Sequence, residues 1–192
     1  MKKEKFISII FKTNPKESDV LLLIDFLKGL IGNYINPTFK DSVLTVFFDA
    51  ACEISFKEII QSLNEDFYIT ALLFESGELY KEIDKNEYMN HIKESRNLLF
   101  EINNLYITEA DLIKNKIYKD VIVRNILKDF HNDYEMKKVV KVYLECNMNI
   151  SKAANELFMH RNTLMYKIDK FVEITGYDIR KFHNAFVIYH II

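Results

Sequence analysis

Glycine is scarce in this chain, with only Gly29, Gly32, Gly77 and Gly176 among 192 residues. None of them builds a GxGxxG or P-loop pattern, which excludes a glycine-rich cradle for nucleotide phosphates. Cysteine is scarcer still: Cys52 and Cys146 stand 94 positions apart, with no CxxC and no Cys/His cluster around either. That spacing excludes a disulfide framework and a zinc site, and leaves both thiols as small buried hydrophobes. No apolar run approaches the length of a membrane span. The apolar stretch after the N-terminal lysines is closed by Lys12 after six residues, too short for the core of a signal peptide. These absences point to the cytosol and to no membrane partner. Nor does a nucleophile, a base and an anion site converge anywhere. The carboxylates Glu75, Glu78, Glu82 and Asp84 read as solvated loop residues rather than a paired catalytic set. The expectation is a protein that is not an enzyme and carries no cofactor or metal.

Net charge is also nearly absent, at −2. The two parts of the chain differ, however. Met1 to Tyr134 holds 17 Lys and Arg against 22 Asp and Glu, while Glu135 to Ile192 holds 9 against 6, so a −5 segment precedes a +3 segment. An acidic control domain joined to a modestly basic reader shows this asymmetry. The 49% hydrophobic content is ample for a core.

Strand and helix signals alternate through the first part. Phe6–Phe11, Val43–Phe48, Tyr68–Phe74 and Leu105–Ile107 read as strands. Helices are expected over Lys16–Ile31, with Asn14 as cap and Pro15 behind it, and after a Ser55/Glu58 capping box. Two more are expected over Tyr88–Asn103 and from the Thr108/Asp111 cap to about Lys128. Gly32–Asp41, containing Pro37, reads as a turn region. The alternation argues for an α/β or α+β domain over residues 1–130, a small sheet with packed helices. The Lys16–Ile31 helix is apolar over more than one face. Either another segment of the chain covers its second side, or a subunit interface does. Asp129–Tyr134 reads as the linker.

Residues 135–192 read as an all-α helix-turn-helix domain, Fis-like in its loose resemblance. Met136–Cys146 is its first helix. Asn149 is placed to cap a short helix, Ser151–Leu157, with small Ala153 and Ala154 on one side. Leu157 to His160 supply a turn, and a second helical pattern starts at Arg161 with Leu164, Ile168 and Phe171 inward. Gly176 ends it as a left-handed cap residue. A last helix is expected over Asp178–Ile192, with Phe182, Ala185, Phe186 and Tyr189 as a face that is core or lies against a second subunit. Two short helices about a tight turn put the second in the major groove of DNA. Arg161 suits a guanine edge, Asn162 an adenine edge and Thr163 a thymine methyl or phosphate. Tyr166, Lys167 and Lys170 follow on the next turns. Ser151, Lys152 and His160 complete the candidate DNA-binding set.

The run NISKAANELFMHRNTLMYKIDKFVEITGYDIR resembles the C-terminal helix-turn-helix of the PucR/CdaR family of bacterial transcriptional regulators. Asn149, Ser151, Ala153, Ala154, Leu157, His160 to Leu164, Tyr166, Thr175 and Gly176 carry the resemblance. It implies that Arg161, Asn162, Thr163, Tyr166 and Lys167 face DNA. Met165, Lys167 and Lys170 stand where the family favours Arg, which bears on the sequence read. Residues 69–130 are distantly similar to the family's GGDEF-like domain, but no acidic GGDEF loop is present, so neither cyclic-dinucleotide synthesis nor metal binding carries over. The sequence thus points to a regulator that binds double-stranded DNA as a homo-oligomer, a dimer or higher, with room for a small-molecule effector of unidentified chemistry. The rival is a ligand-sensing or protein-binding adaptor whose helical end does not touch DNA.

Overall fold

The computed structural model describes residues 3–32, 34–66 and 69–192, leaving aside the side chains of 34–36 and 66. The chain divides into two compact units, Met1–Asn125 and Ile126–Ile192.

The first unit is built on a five-stranded sheet in the order β2-β3-β1-β4-β5. The strands are β1 (Glu4–Phe11), β2 (Tyr34–Lys40), β3 (Val43–Asp49), β4 (Ala71–Glu75) and β5 (Tyr106–Thr108). β1 is central and runs antiparallel to both β3 and β4, whereas β4 and β5 are parallel. FISIIF has no polar face because both faces of β1 are covered. Ile7, Ile9 and Phe11 pack with Leu44, Val46, Leu73 and the inner sides of α1 (Glu17–Ile31) and α2 (Phe56–Asp66). On the other face Phe6 meets Tyr88 edge-on at 5.0 Å and lies against Phe47 and Phe74.

Several local expectations are corrected. The Gly32–Asp41 stretch is largely strand β2. Pro37 is tolerated there because β2 is an edge strand with a register shift between Ile35 and Thr38. The turn itself is Asp41–Ser42, both at positive φ (54° and 60°), a two-residue hairpin connection. Asn14 does not cap α1. The N-cap is Lys16, without a side-chain bond, and the Asn14 carboxamide oxygen accepts from Ser42 Oγ at 2.9 Å. β4 begins at Ala71, and Tyr68 lies outside the described residues. The Tyr88–Asn103 helix is two helices, α3 (Lys85–Glu94) and α4 (Arg96–Glu101), broken at Ser95. There Arg96 swings out and donates from Nη2 to the carbonyls of Phe11 and Lys12, at 2.7 Å each. The helix after Thr108 is likewise split into α5 (Glu109–Lys114) and α6 (Asp120–Leu127) around Lys116, whose φ of 58° no helix accommodates. Nor is the Glu75–Asn86 stretch a set of idle carboxylates. Glu75 accepts from Lys5 at 3.1 Å and from the Tyr106 hydroxyl at 2.7 Å, and Asp84 caps α3 through Asn86 N and Glu87 N.

The second unit is helical. A 3₁₀ turn (Lys128–Phe130) precedes α7 (Tyr134–Glu145), α8 (Ile150–Glu156), α9 (Arg161–Thr175) and α10 (Phe182–Tyr189). The stretch read as a linker is structured. Phe130 is buried and stacks on Phe171 at 5.4 Å, and Asp133 caps α7 by accepting from Met136 N. Val139, Val140, Tyr143, Leu164, Ile168, Phe171, Ile179, Val187 and Ile188 are among its buried residues. α10 buries Ala185, Val187 and Ile188, while Phe182, Phe186 and Tyr189 stay exposed, so of the face expected as core or subunit contact only Ala185 is core among the described residues of this unit.

Candidate nucleic-acid interface

The interface is set by how α8 and α9 meet. The Asn149 side chain accepts from Ser151 N at 3.1 Å and Lys152 N at 3.0 Å, satisfying the free donors that open α8. Ala153 and Ala154 are buried, and their small size allows α9 to cross close by. Phe158 bends the chain at a positive φ of 52°. His160 then caps α9, its Nδ1 accepting from Asn162 N at 3.1 Å. Leu164, Ile168, Phe171 and Thr175 face inward along α9, and Gly176 closes it at φ 79°, where its N–H bonds Val172 O. The four buried positions recur at helical spacing, so the residues between them are turned outward.

Of the residues singled out from sequence, Arg161, Asn162, Thr163, Tyr166 and Lys170 lie exposed on α9, and Ser151 and Lys152 are exposed at the start of α8. His160 is exposed too, with one ring nitrogen committed to its cap. Lys167 differs from the rest: it is half-buried and ion-paired to Glu135 on α7 at 2.7 Å. Phe158, read from sequence only as part of the turn, is 97% exposed before α9, and Met165, noted as standing where the family favours Arg, is exposed on the helix itself. Arg180 is tied to Asp169 at 2.9 Å and to Asp178 at 2.6 Å, and the guanidinium holds the Asp178 carboxyl below its usual pKa. Cys146 donates to Glu156 at 3.2 Å; burial first, and then that carboxylate, push its thiol pKa up, which disfavours the reactive thiolate.

The exposed part of α9 offers a cation, an amide, a hydroxyl and a phenol along one ridge. The N-terminus of the helix lies at the same end, where a phosphate is favourable, with the Asn162 N–H already bonded to His160. This set can hydrogen-bond base edges and phosphates without any bond-breaking step. Among the described residues, no group of three or more His, Cys, Asp or Glu is placed to hold a metal ion, and no helix is long and apolar enough to cross a membrane.

Comparison with known proteins gives the same region a family. Residues 137–190 match the model of the PucR C-terminal helix-turn-helix domain. Three Bacillus subtilis (strain 168) proteins are similar to this chain over stretches of 62 to 65 residues. They are the uncharacterized protein YxkF (40% identical over 62 residues), the proline-responsive transcriptional activator PutR (36% over 62) and the purine catabolism regulatory protein (29% over 65). These matches cover 32 to 34% of this chain and 21, 15 and 12% of the three relatives, so the likeness takes in under a quarter of their length. In fold, the whole chain aligns with 79% of a crystal structure of a regulator of polyketide synthase expression from Bifidobacterium adolescentis, with a TM-score of 0.51 and 13% identity. Residues 137–190 of this chain thus form a helix-turn-helix domain of the PucR C-terminal type, the domain it shares with regulators of that kind.

Proposed function

We propose that the chain is a transcription regulator that binds double-stranded DNA inside the cell through α9, acting by binding alone. The observation that carries this reading is the division of α9 itself. Leu164, Ile168 and Phe171 are buried while Arg161, Asn162, Thr163, Tyr166 and Lys170 are exposed on the same helix. Arg161 and Asn162 are the base readers, and Lys152, Lys170 and the α9 N-terminus hold phosphate. Ser151 and His160 flank the tip. A segment with a balance of only +3 attracts one duplex weakly. Two copies on one DNA, with recognition helices about 34 Å apart, meet that need, and the operator is then a repeat. Domains 1–130 and 135–192 serve as regulatory and reading parts in this account.

The test is a salt titration of the full chain on a preferred and an indifferent duplex. Arg161→Ala and Asn162→Ala each lose about 1–3 kcal/mol on the preferred duplex and little on the other. Lys170→Ala weakens both alike and flattens the salt slope by about one. Equal losses on both duplexes for all three variants defeat the assignment. The adaptor reading draws on exposed Phe158 and Met165 beside the same ridge; failure to shift any genomic fragment in a gel favours it.

A further inference from the structure

Helix α1 closes one face of the sheet with Val20, Leu23, Leu27 and Ile31, and its outer side is apolar as well. Leu21 is 56% exposed, Leu22 70%, Phe26 50% and Leu30 42%. No described segment of the first unit covers them, so the surplus apolar surface that the sequence showed on this helix stands open on that unit. These four side chains present roughly 450 Å² of apolar surface, over half of the about 800 Å² that each partner gives to a standard interface. Beside them a cavity of about 430 Å³ opens between α1 and α2, walled by Leu22, Phe26, Ile59, Leu63 and Ile69.

We infer that this face is where a second copy of the chain docks, with α1 of one protomer seated against α1 and the α1/α2 groove of the other. A two-fold pair must use one patch that fits itself. This patch carries both parts of such a fit, projecting Leu22 and Phe26 and a hollow next to them that apolar side chains fill. Gly29 lies one turn beyond Phe26, and nothing stands within 4 Å of the place where its Cβ would be, so a partner helix can approach the backbone there. Charge lies on the flank as well: Asp25 is ion-paired to Lys28 at 3.0 Å, and Asp19 and Glu58 line the cavity, where a partner must leave them in reach of water or of a lysine. The inference rests on the DNA-binding reading only for its purpose, which is to carry two copies of α9 to one operator.

Sedimentation equilibrium of the full chain without DNA tests it, with circular dichroism confirming that each variant is folded. The wild type is a dimer that dissociates on dilution. Leu22→Lys and Phe26→Glu, both at exposed positions, raise the dissociation constant at least tenfold. Phe182→Glu, on the exposed aromatic face of α10, leaves it unchanged. All three variants keep wild-type affinity for a duplex holding a single half-site, and only the α1 variants lose affinity for the paired site. A wild type that stays monomeric, or a dimer indifferent to both α1 substitutions, overturns the inference, whether a small apolar molecule, another protein or nothing is then found on this face. A dimer that breaks as described but binds no DNA sustains the inference while defeating the reading of α9.

Discussion

At the scale of the residue, Lys167 shows how a side chain with the right chemistry can be committed elsewhere. Its ammonium is held by Glu135 at 2.7 Å, so part of its charge is spent within the protein. With Lys167 half-buried but Glu135 open to solvent, the pair is worth about 0–1 kcal/mol. Glu135→Gln releases the lysine, and affinity rises on every duplex by up to about fivefold with no change in base preference; fluorescence anisotropy at low salt measures it. His91 is a second committed group. It is buried on α3, with Nε2 3.3 Å from the Ile117 carbonyl. Burial lowers its pKa below the ordinary 6.5, outweighing the upward pull of that carbonyl, and the Lys119 ammonium acts in the same direction as burial. Below about pH 6.5 the unfolded chain therefore gains a proton that the folded chain refuses. This contribution to stability is complete above that pH and declines as pH falls toward the folded value. Between about pH 7.5 and 5.5 the thermal midpoint of His91→Gln should fall less than that of the wild type. An identical slope would show that His91 is not part of the acid sensitivity.

At the scale of the element, the helix-turn-helix was legible because its signals are local. Asn149 caps from two residues away, Ala153 and Ala154 are small where α8 and α9 cross, and Gly176 supplies the one backbone conformation that ends α9 cleanly. The crossing can be tested directly. Ala154 is 3% exposed, and Ala154→Leu overpacks the contact at a cost of about 1–3 kcal/mol. The chemical-denaturation midpoint falls, and DNA binding weakens because α9 is pushed from its angle. A variant as stable as the wild type contradicts the packing assigned to this residue. The elements misread from sequence share a different cause. Lys116 breaks a helical pattern with a positive φ that no glycine announces, and Ser95 interrupts another where Arg96 is drawn to the carbonyls that end β1. Pro37 made a strand look like a turn because the edge position of β2, which excuses it, is a property of the sheet. Those facts depend on distant chain, and no local pattern encodes them.

At the scale of the molecule, the chain joins a unit built on a mixed sheet to a helical unit of the PucR type. The burial of β1 was readable from its lack of any polar face, and the alternation of strands and helices gave the layer, but Val43–Phe48, read as a central strand, lies beside β1, which holds the middle of the sheet. The strand order was not readable, since it follows from which strands meet across long separations. The outer face of α1 announced itself in sequence as surplus apolar surface, and only the fold shows that it stays uncovered. The proposed function now depends on whether the exposed ridge of α9 reads sequence, and enrichment from a random duplex pool addresses that claim most directly. The full chain, selected and sequenced, should enrich a repeat of two half-sites about 34 Å apart, and Asn162→Ala should lose one defined base in each half. A wild-type pool no different from the input, or a motif that Arg161→Ala and Asn162→Ala leave untouched, would contradict it.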